Sequence, residues 1–338
     1  MRSTIRNILL SLLVGGVFFW LAIRNVPLET LFDYMQGISY WWILPYALVA
    51  LGSHYIRAER WRLLIRDENI NPSRNTLFAG VMFGYLVNYA VPRLGEITRC
   101  VYAAKKEDLS GTNLIGTVIL ERVIDMLVVM LLIGFVALVV ISDTEALTKL
   151  FGEETLTLIR SALQLETLLY GFGGLIIAIW LGYLSVRLIR QSALNRPWME
   201  NVITRLRGFV ITFVDGLLAI RRVRQWPYFI GLTLLIWLGY VVMAYIPFFV
   251  FNLHEDFGLG FTEALVIMTI STIGVALPSP GGIGTYHWFV RQGLLVLYGV
   301  PVAVGFAYAF VTHAVMMGIV LISSPIILVW NNWFLNRQ

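Results

Sequence analysis

The stretch Thr76–Ala104 reads TLFAGVMFGYLVNYAVPRLGEITRCVYAA. Basic residues flank it on both sides: Arg57, Arg60, Arg62, Arg66 and Arg74 before it, Lys105 and Lys106 after it. Basic loops of membrane proteins stay in the cytoplasm. Thr76–Ala104 is therefore expected to enter and leave a bilayer on one side. Its rising arm, Thr76–Val91, reaches about 24 Å as a helix, short of a hydrocarbon core of about 30 Å. The returning arm, Leu94–Ala104, is shorter and carries Glu96 and Arg99. The run Val91-Pro92-Arg93-Leu94-Gly95 breaks the helix between the arms, because proline removes a backbone donor and restricts the residue before it. The pattern predicts a re-entrant helical hairpin over 76–104, opening to the cytoplasm.

A second interrupted segment lies near the other end of the chain. Thr262–Leu277 is a short apolar arm, Pro278-Ser279-Pro280-Gly281-Gly282-Ile283-Gly284 breaks it, and Thr285–Tyr298 follows. The preceding stretch, Asn252–Glu263, holds three acids and no lysine or arginine. It is expected outside, so the hairpin over 262–298 is expected to enter from the opposite face. Two broken helical pairs of opposite orientation are the mark of inverted-repeat transporters. That repeat is argued from hydropathy, without residue identity between the halves.

Composition supports a bilayer setting. Apolar residues make up 58% of the chain and charged residues 13%, against about 25% charge in soluble domains. The mean hydropathy is +0.77. Long apolar blocks occur at Ile8–Ile23, Leu114–Ile141, Leu168–Val186, Tyr228–Phe251 and Val302–Trp330, each near the length of a span. Arg2 and Arg6 precede the first block, but no small-x-small cleavage site follows, so it reads as an uncleaved span. The expected fold is all-α and integral to the membrane: about six full spans plus two oppositely oriented re-entrant hairpins, in one transmembrane domain over 1–338. The basic stretch Arg187–Arg224 and the acidic stretch Asp143–Glu166 extend the same bias. It places both termini in the cytoplasm of a bacterial inner membrane. Residues 198–220 carry apolar positions at helical spacing with basic flanks. They suit an amphipathic helix on the cytoplasmic surface or a span extension packed on protein.

The net charge of +5 follows from this loop bias and is no sign of nucleic-acid binding. Cys100 is the single cysteine, which excludes an intrachain disulfide. No metal-ligand spacing, cofactor motif or nucleophile elbow is visible. His54, His254 and His313 are scattered along the chain. The oligomeric state is not legible.

Charged residues at membrane depth are costly and mark function. The first hairpin tip holds Asn88, Arg93, Glu96 and Arg99; the next span holds Glu121, Arg122 and Asp125. Glu121 and Asp125 share a helix face. Arg93 with Glu121, or Arg99 with Asp125, would pin the hairpin to its neighbour. Alternatively, a guanidinium left free would hold a lipid phosphate bidentately. At the second tip, Pro280, Gly281, Gly282 and Gly284 suit either a packing hinge or a backbone cradle for an anionic headgroup at a helix start. His287 lies one turn further on, either as a satisfied neutral imidazole or as a group titrating near neutrality.

These motifs, Asn88…Pro92-Arg93-x-Gly95-Glu96…Arg99, Glu121-Arg122…Asp125 and Pro280-Gly281-Gly282-Ile283-Gly284, resemble the lysylphosphatidylglycerol synthase transmembrane-region family, also called the flippase-like domain family. The resemblance covers nearly the whole chain, in order. It implies a lipid-handling membrane domain. In relatives this domain accompanies a cytoplasmic aminoacyl-transferase or a glycosyltransferase acting on lipid carriers. The resemblance is to the translocation part standing alone. Relatives often place an acid shortly after the Pro-Gly-Gly motif, where this chain has Thr285-Tyr286-His287, so a lysyl-lipid substrate is not carried over.

Three functions follow as expectations. The first is a lipid translocase, not an enzyme, with a headgroup meeting Arg93, Arg99 and the Pro-Gly-Gly backbone. The second is a membrane enzyme transferring a group to a lipid carrier, with Glu96, Glu121 or Asp125 as base. The third is a non-transporting lipid-binding partner of a separate lipid-modifying enzyme.

Overall fold

A computed structural model describes residues 2–141, apart from 25, 28, 30, 32–34, 66–69 and 92, and residues 219, 221 and 223–335. The expected span Leu168–Val186, the acidic stretch Asp143–Glu166 and nearly all of the amphipathic segment 198–220 lie outside the described residues. The elements below belong to one compact unit, Met1–Val136 with Asp215–Gln338, except for the end of α5.

All regular structure among the described residues is helical. Helix α1 is Arg2–Ile23, α2 Ile43–Ile65, α3 Arg74–Ala90, α4 Leu94–Glu107, α5 Gly111–Ile141 and α6 Trp226–Val250. A single turn, α7 (Leu253–Asp256), leads to α8 (Phe261–Ala276), α9 (Thr285–Tyr298) and α10 (Val302–Leu335). Among the described residues, Trp226–Val250 and Val302–Trp333 are long and apolar enough to cross a bilayer, with mean hydropathies of 2.1 and 2.0. Helix α5 is also long, but Glu121, Arg122 and Asp125 interrupt it.

The first hairpin is α3 and α4. Its arms have 17 and 14 residues, about 25 and 21 Å long. Ser73 caps α3 by accepting the Thr76 N–H, and its own N–H donates to Glu107 at the end of α4, at 3.1 Å. The base of the hairpin is thereby closed. Helix α3 stops at Val91, which turns extended (φ −136, ψ 109), as a residue before proline must. Arg93 then takes a left-handed backbone (φ 66) to start α4. Near the tip the arms touch backbone to backbone. A Cβ on Gly95 would collide with the Gly84 carbonyl and with Asn88, and the Gly95 N–H donates to Asn88 Oδ1 at 2.7 Å.

The second hairpin is α8 and α9. Glu263 Oε2 accepts the Gly260 N–H at 2.7 Å to cap α8. Gly274 packs against Thr285 and Phe289, and Gly293 against Ile267 and Ile270, so the arms are antiparallel. At the tip Gly281, Gly282 and Gly284 all have positive φ, a conformation costly for other residues.

Helix α6 locates the hairpins relative to each other. Its first turns pack Phe229 and Leu232 on Leu63 and Leu64 at the end of α2, next to the base of the first hairpin, where Arg74 pairs with Glu59. Its last turns set Tyr245 edge-on to Phe261 at the base of the second. The bases therefore lie at opposite ends of α6 and the tips meet between them. A Cβ on Gly281 would strike the ring of Tyr89. Helix α10 binds both hairpins: Ser324 donates to the Met82 carbonyl, Asn331 to Tyr102, and Thr312 pairs with Tyr286.

Replacing Gly95 by alanine should destabilise the protein by about 1–3 kcal/mol through overpacking. Gly52→Ala, with nothing within 4 Å of the added carbon, should not. Thermal unfolding of both variants in detergent checks the contrast.

Candidate functional site

Charge gathers where α2, α4 and α5 face one another. Glu121 is fully buried. Its Oε1 accepts from Arg57 at 2.7 Å and Arg60 at 3.3 Å, and its Oε2 from Arg99 at 2.8 Å. One turn along α5, Asp125 accepts from Arg60 at 2.7 Å and Arg57 at 3.0 Å. The phenol of Tyr240 on α6 accepts two bonds from Arg57, at 3.0 and 3.3 Å. Arg60 also donates to Thr233 on α6 at 3.4 Å. The Arg99 guanidinium lies over the ring of Trp61, 4.8 Å from its centroid, and Trp61 donates to Thr117 on α5 at 2.9 Å. These contacts fall about 10–21 Å from the start of α6, near the middle of a span.

This geometry corrects several expectations. Arg57 and Arg60 were read as part of a cytoplasmic basic loop; they are buried on α2, because the helix runs unbroken to Ile65. They are ligands of the carboxylates, not markers of a loop. Arg99 pairs with Glu121 rather than Asp125. Arg93 pairs with neither: its left-handed backbone at the N-cap of α4 leaves it exposed at the tip. Asn88 is engaged in the hairpin neck. Arg122 reaches Glu96 at 3.9 Å and Asp125 at 3.7 Å, on the outer edge of the cluster.

The second tip is closed by its own chain. The Gly284 N–H, at the start of α9, donates to Nδ1 of His287 at 3.1 Å, which makes that nitrogen an acceptor in a neutral ring. Ser279 and Thr285 share a hydrogen bond at 2.8 Å. The backbone of α1 lies against the tip, where a Cβ on Gly284 would collide with the Gly15 carbonyl. His313 is not scattered: its ring stacks on His287, with centroids 4.9 Å apart. Phe19, Phe306 and Phe310 pack around His287, and Tyr286 meets His313 edge-on. Among the described residues, no group of three or more metal-ligating side chains forms.

Sequence reading also missed His54. It is buried on α2, one turn before Arg57, with its ring 4.4 Å from Tyr85 and both nitrogens without a partner. The spacing His54, Arg57, Arg60/Trp61 is one helix face, and that spacing was the available signal.

The lysylphosphatidylglycerol synthase TM region model matches residues 8–324. The chain belongs to this family. Membership implies a membrane protein with a lipid-related role. No curated protein and no solved structure gives a significant match.

Removing the carboxylate of Glu121 strands Arg99 and leaves Arg57 and Arg60 to share Asp125 in a dry interior, and breaking buried pairs costs about 3–5 kcal/mol. Glu121→Gln should therefore lower the unfolding midpoint sharply. Arg122→Gln, on the half-exposed edge, should stay within about 1 kcal/mol. Circular dichroism melts in detergent compare the two.

Proposed function

We propose that this protein is a lipid translocase that passes an anionic headgroup across the bilayer where the two hairpins meet. The charge balance of the cluster carries this reading. Three buried guanidiniums, Arg57, Arg60 and Arg99, face two carboxylates, Glu121 and Asp125. One positive charge is left in excess in a medium of low dielectric, where it attracts an anion strongly. A lipid phosphate supplies that anion, and guanidinium binds it bidentately.

The hairpins are the moving parts in this reading. Both are re-entrant, their arms are shorter than a span, and a shift at the contact between Tyr89 and Gly281 changes which side reaches the cluster. Arg93, exposed at the first tip, meets the headgroup where the two hairpins touch. The protein sits in a bacterial inner membrane with both termini in the cytoplasm, and a separate lipid-modifying enzyme supplies or consumes its lipid. Group transfer with Glu121 or Asp125 as the base is less favoured, since each is held by at least two guanidiniums and neither is free to take a proton.

The test is transport by the full chain in liposomes, read by chemical quenching of a fluorescent phosphatidylglycerol in the outer leaflet. Arg60→Gln balances the cluster while Glu121 and Asp125 keep other partners. It should slow transport about tenfold or more, the worth of a charged hydrogen bond, and leave the protein monodisperse. Wild-type rates in a folded Arg60→Gln protein would falsify the reading.

A further inference from the structure

The cluster has a half-exposed edge at Arg122 and Glu96. Arg122 has 40% of its side chain exposed and Glu96 31%, whereas Glu121 has none. Their head groups stand 3.9 Å apart, beyond hydrogen-bond reach. Nε of Arg122 and Oε2 of Glu96 are out of reach of solvent, and neither has a hydrogen-bond partner. The pair is loose, with unused capacity on both sides.

The surroundings of the pair are apolar and uncovered. On α5, Ile119 and Met126 lie a turn either side of Arg122, and both are exposed. On α4, Leu94, Ile97 and Val101 are exposed beside Glu96. In a membrane protein such stripes face lipid chains. Arg122 lies about 16 Å along α5, at the depth of the hydrocarbon rather than of the loops. A half-exposed guanidinium there needs an anion, and two carboxylates at 3.7 and 3.9 Å, both beyond hydrogen-bond reach, do not meet that need.

We infer that the seam between α4 and α5 is a side entrance, at which the phosphodiester of a membrane lipid displaces Glu96 from Arg122 while its tails stay along Ile97 and Met126. The inference rests on the headgroup reading above and specifies its route. The occupant is a lipid phosphate rather than a protein helix because the seam joins apolar stripes to an excess of positive charge. From Arg122 the way inward is marked by Asp125 at 3.7 Å and, beyond it, Arg57 at 3.0 Å. Glu96 is the competing anion that returns when the lipid has left.

The test places a benzophenone amino acid at Ile97 or Met126, and at Leu234, which is exposed on α6 away from the seam, in the full-length protein. Vesicles hold equal amounts of phosphatidylglycerol and a phosphate-free galactosyl diacylglycerol, and mass spectrometry reads the adducts after illumination. Adducts at 97 and 126 should favour phosphatidylglycerol about tenfold over those at 234, the ratio expected of one charge-assisted bidentate contact. Arg122→Gln should abolish the preference and Glu96→Gln should strengthen it. Equal adduct composition at all three positions, or a preference untouched by Arg122→Gln, overturns the side entrance. Arg60-dependent transport without the preference also removes the entrance and leaves translocation standing. The preference in a protein that moves no lipid removes translocation and leaves the entrance.

Discussion

A carboxylate with no contact to water, held at mid-span by three guanidiniums, organises this molecule. Glu121 on α5 takes Arg57 and Arg60 from α2 and Arg99 from α4. An unpaired ion in that position would cost several kcal/mol, so the three helices hold one register. Arg99 fixes the returning arm of the first hairpin. Asn88 and the Gly84–Gly95 contact then hold the rising arm to it. The tip follows, and Tyr89 comes to rest on Gly281. The second hairpin continues the chain of constraint, since its glycine tip is also seated on the backbone of α1 at Gly15.

Bracing and binding divide within the one cluster. The inner residues are braces, each with two or more partners and little exposure. The outer residues, Arg122 and Glu96, sit at distances too long for hydrogen bonds. A buried ion network is seldom kept for stability, because apolar residues of similar volume stabilise as well or better. In the proposed function its excess of one positive charge is a standing attraction for an anion that comes and goes. The aromatic surroundings of His287 are different: the tip N–H groups of Gly282, Ile283 and Gly284 are taken internally, so that end of the interface acts as a packed joint.

The helical arms and their breaks were legible because proline, glycine and hydropathy act locally. Pro92 ends α3 through the residue before it, and Gly281, Gly282 and Gly284 supply positive φ where the sequence places them. The carboxylate pair on α5 was legible from its spacing of four residues. Arg57 and Arg60 were misread for a physical reason: the charge-bias rule counts arginines near a membrane edge but does not know where a helix stops. With no breaker before Ile65, α2 carried both residues into the interior.

The sequence alone determined that this chain lives in a bilayer, where its helices break, and that Glu121 and Asp125 share one helix face. Those properties depend on composition and on neighbours within a few positions. Only the tertiary structure decided that Arg99, not Arg93, meets Glu121; that His313 stacks on His287; that the two tips touch; and that Arg122 faces Glu96 at the half-exposed edge of the cluster. Each is a pairing between residues far apart in the chain, set by which helix faces which. The free energy that selects them, burial of charge only where it is matched, exists only once the helices have packed.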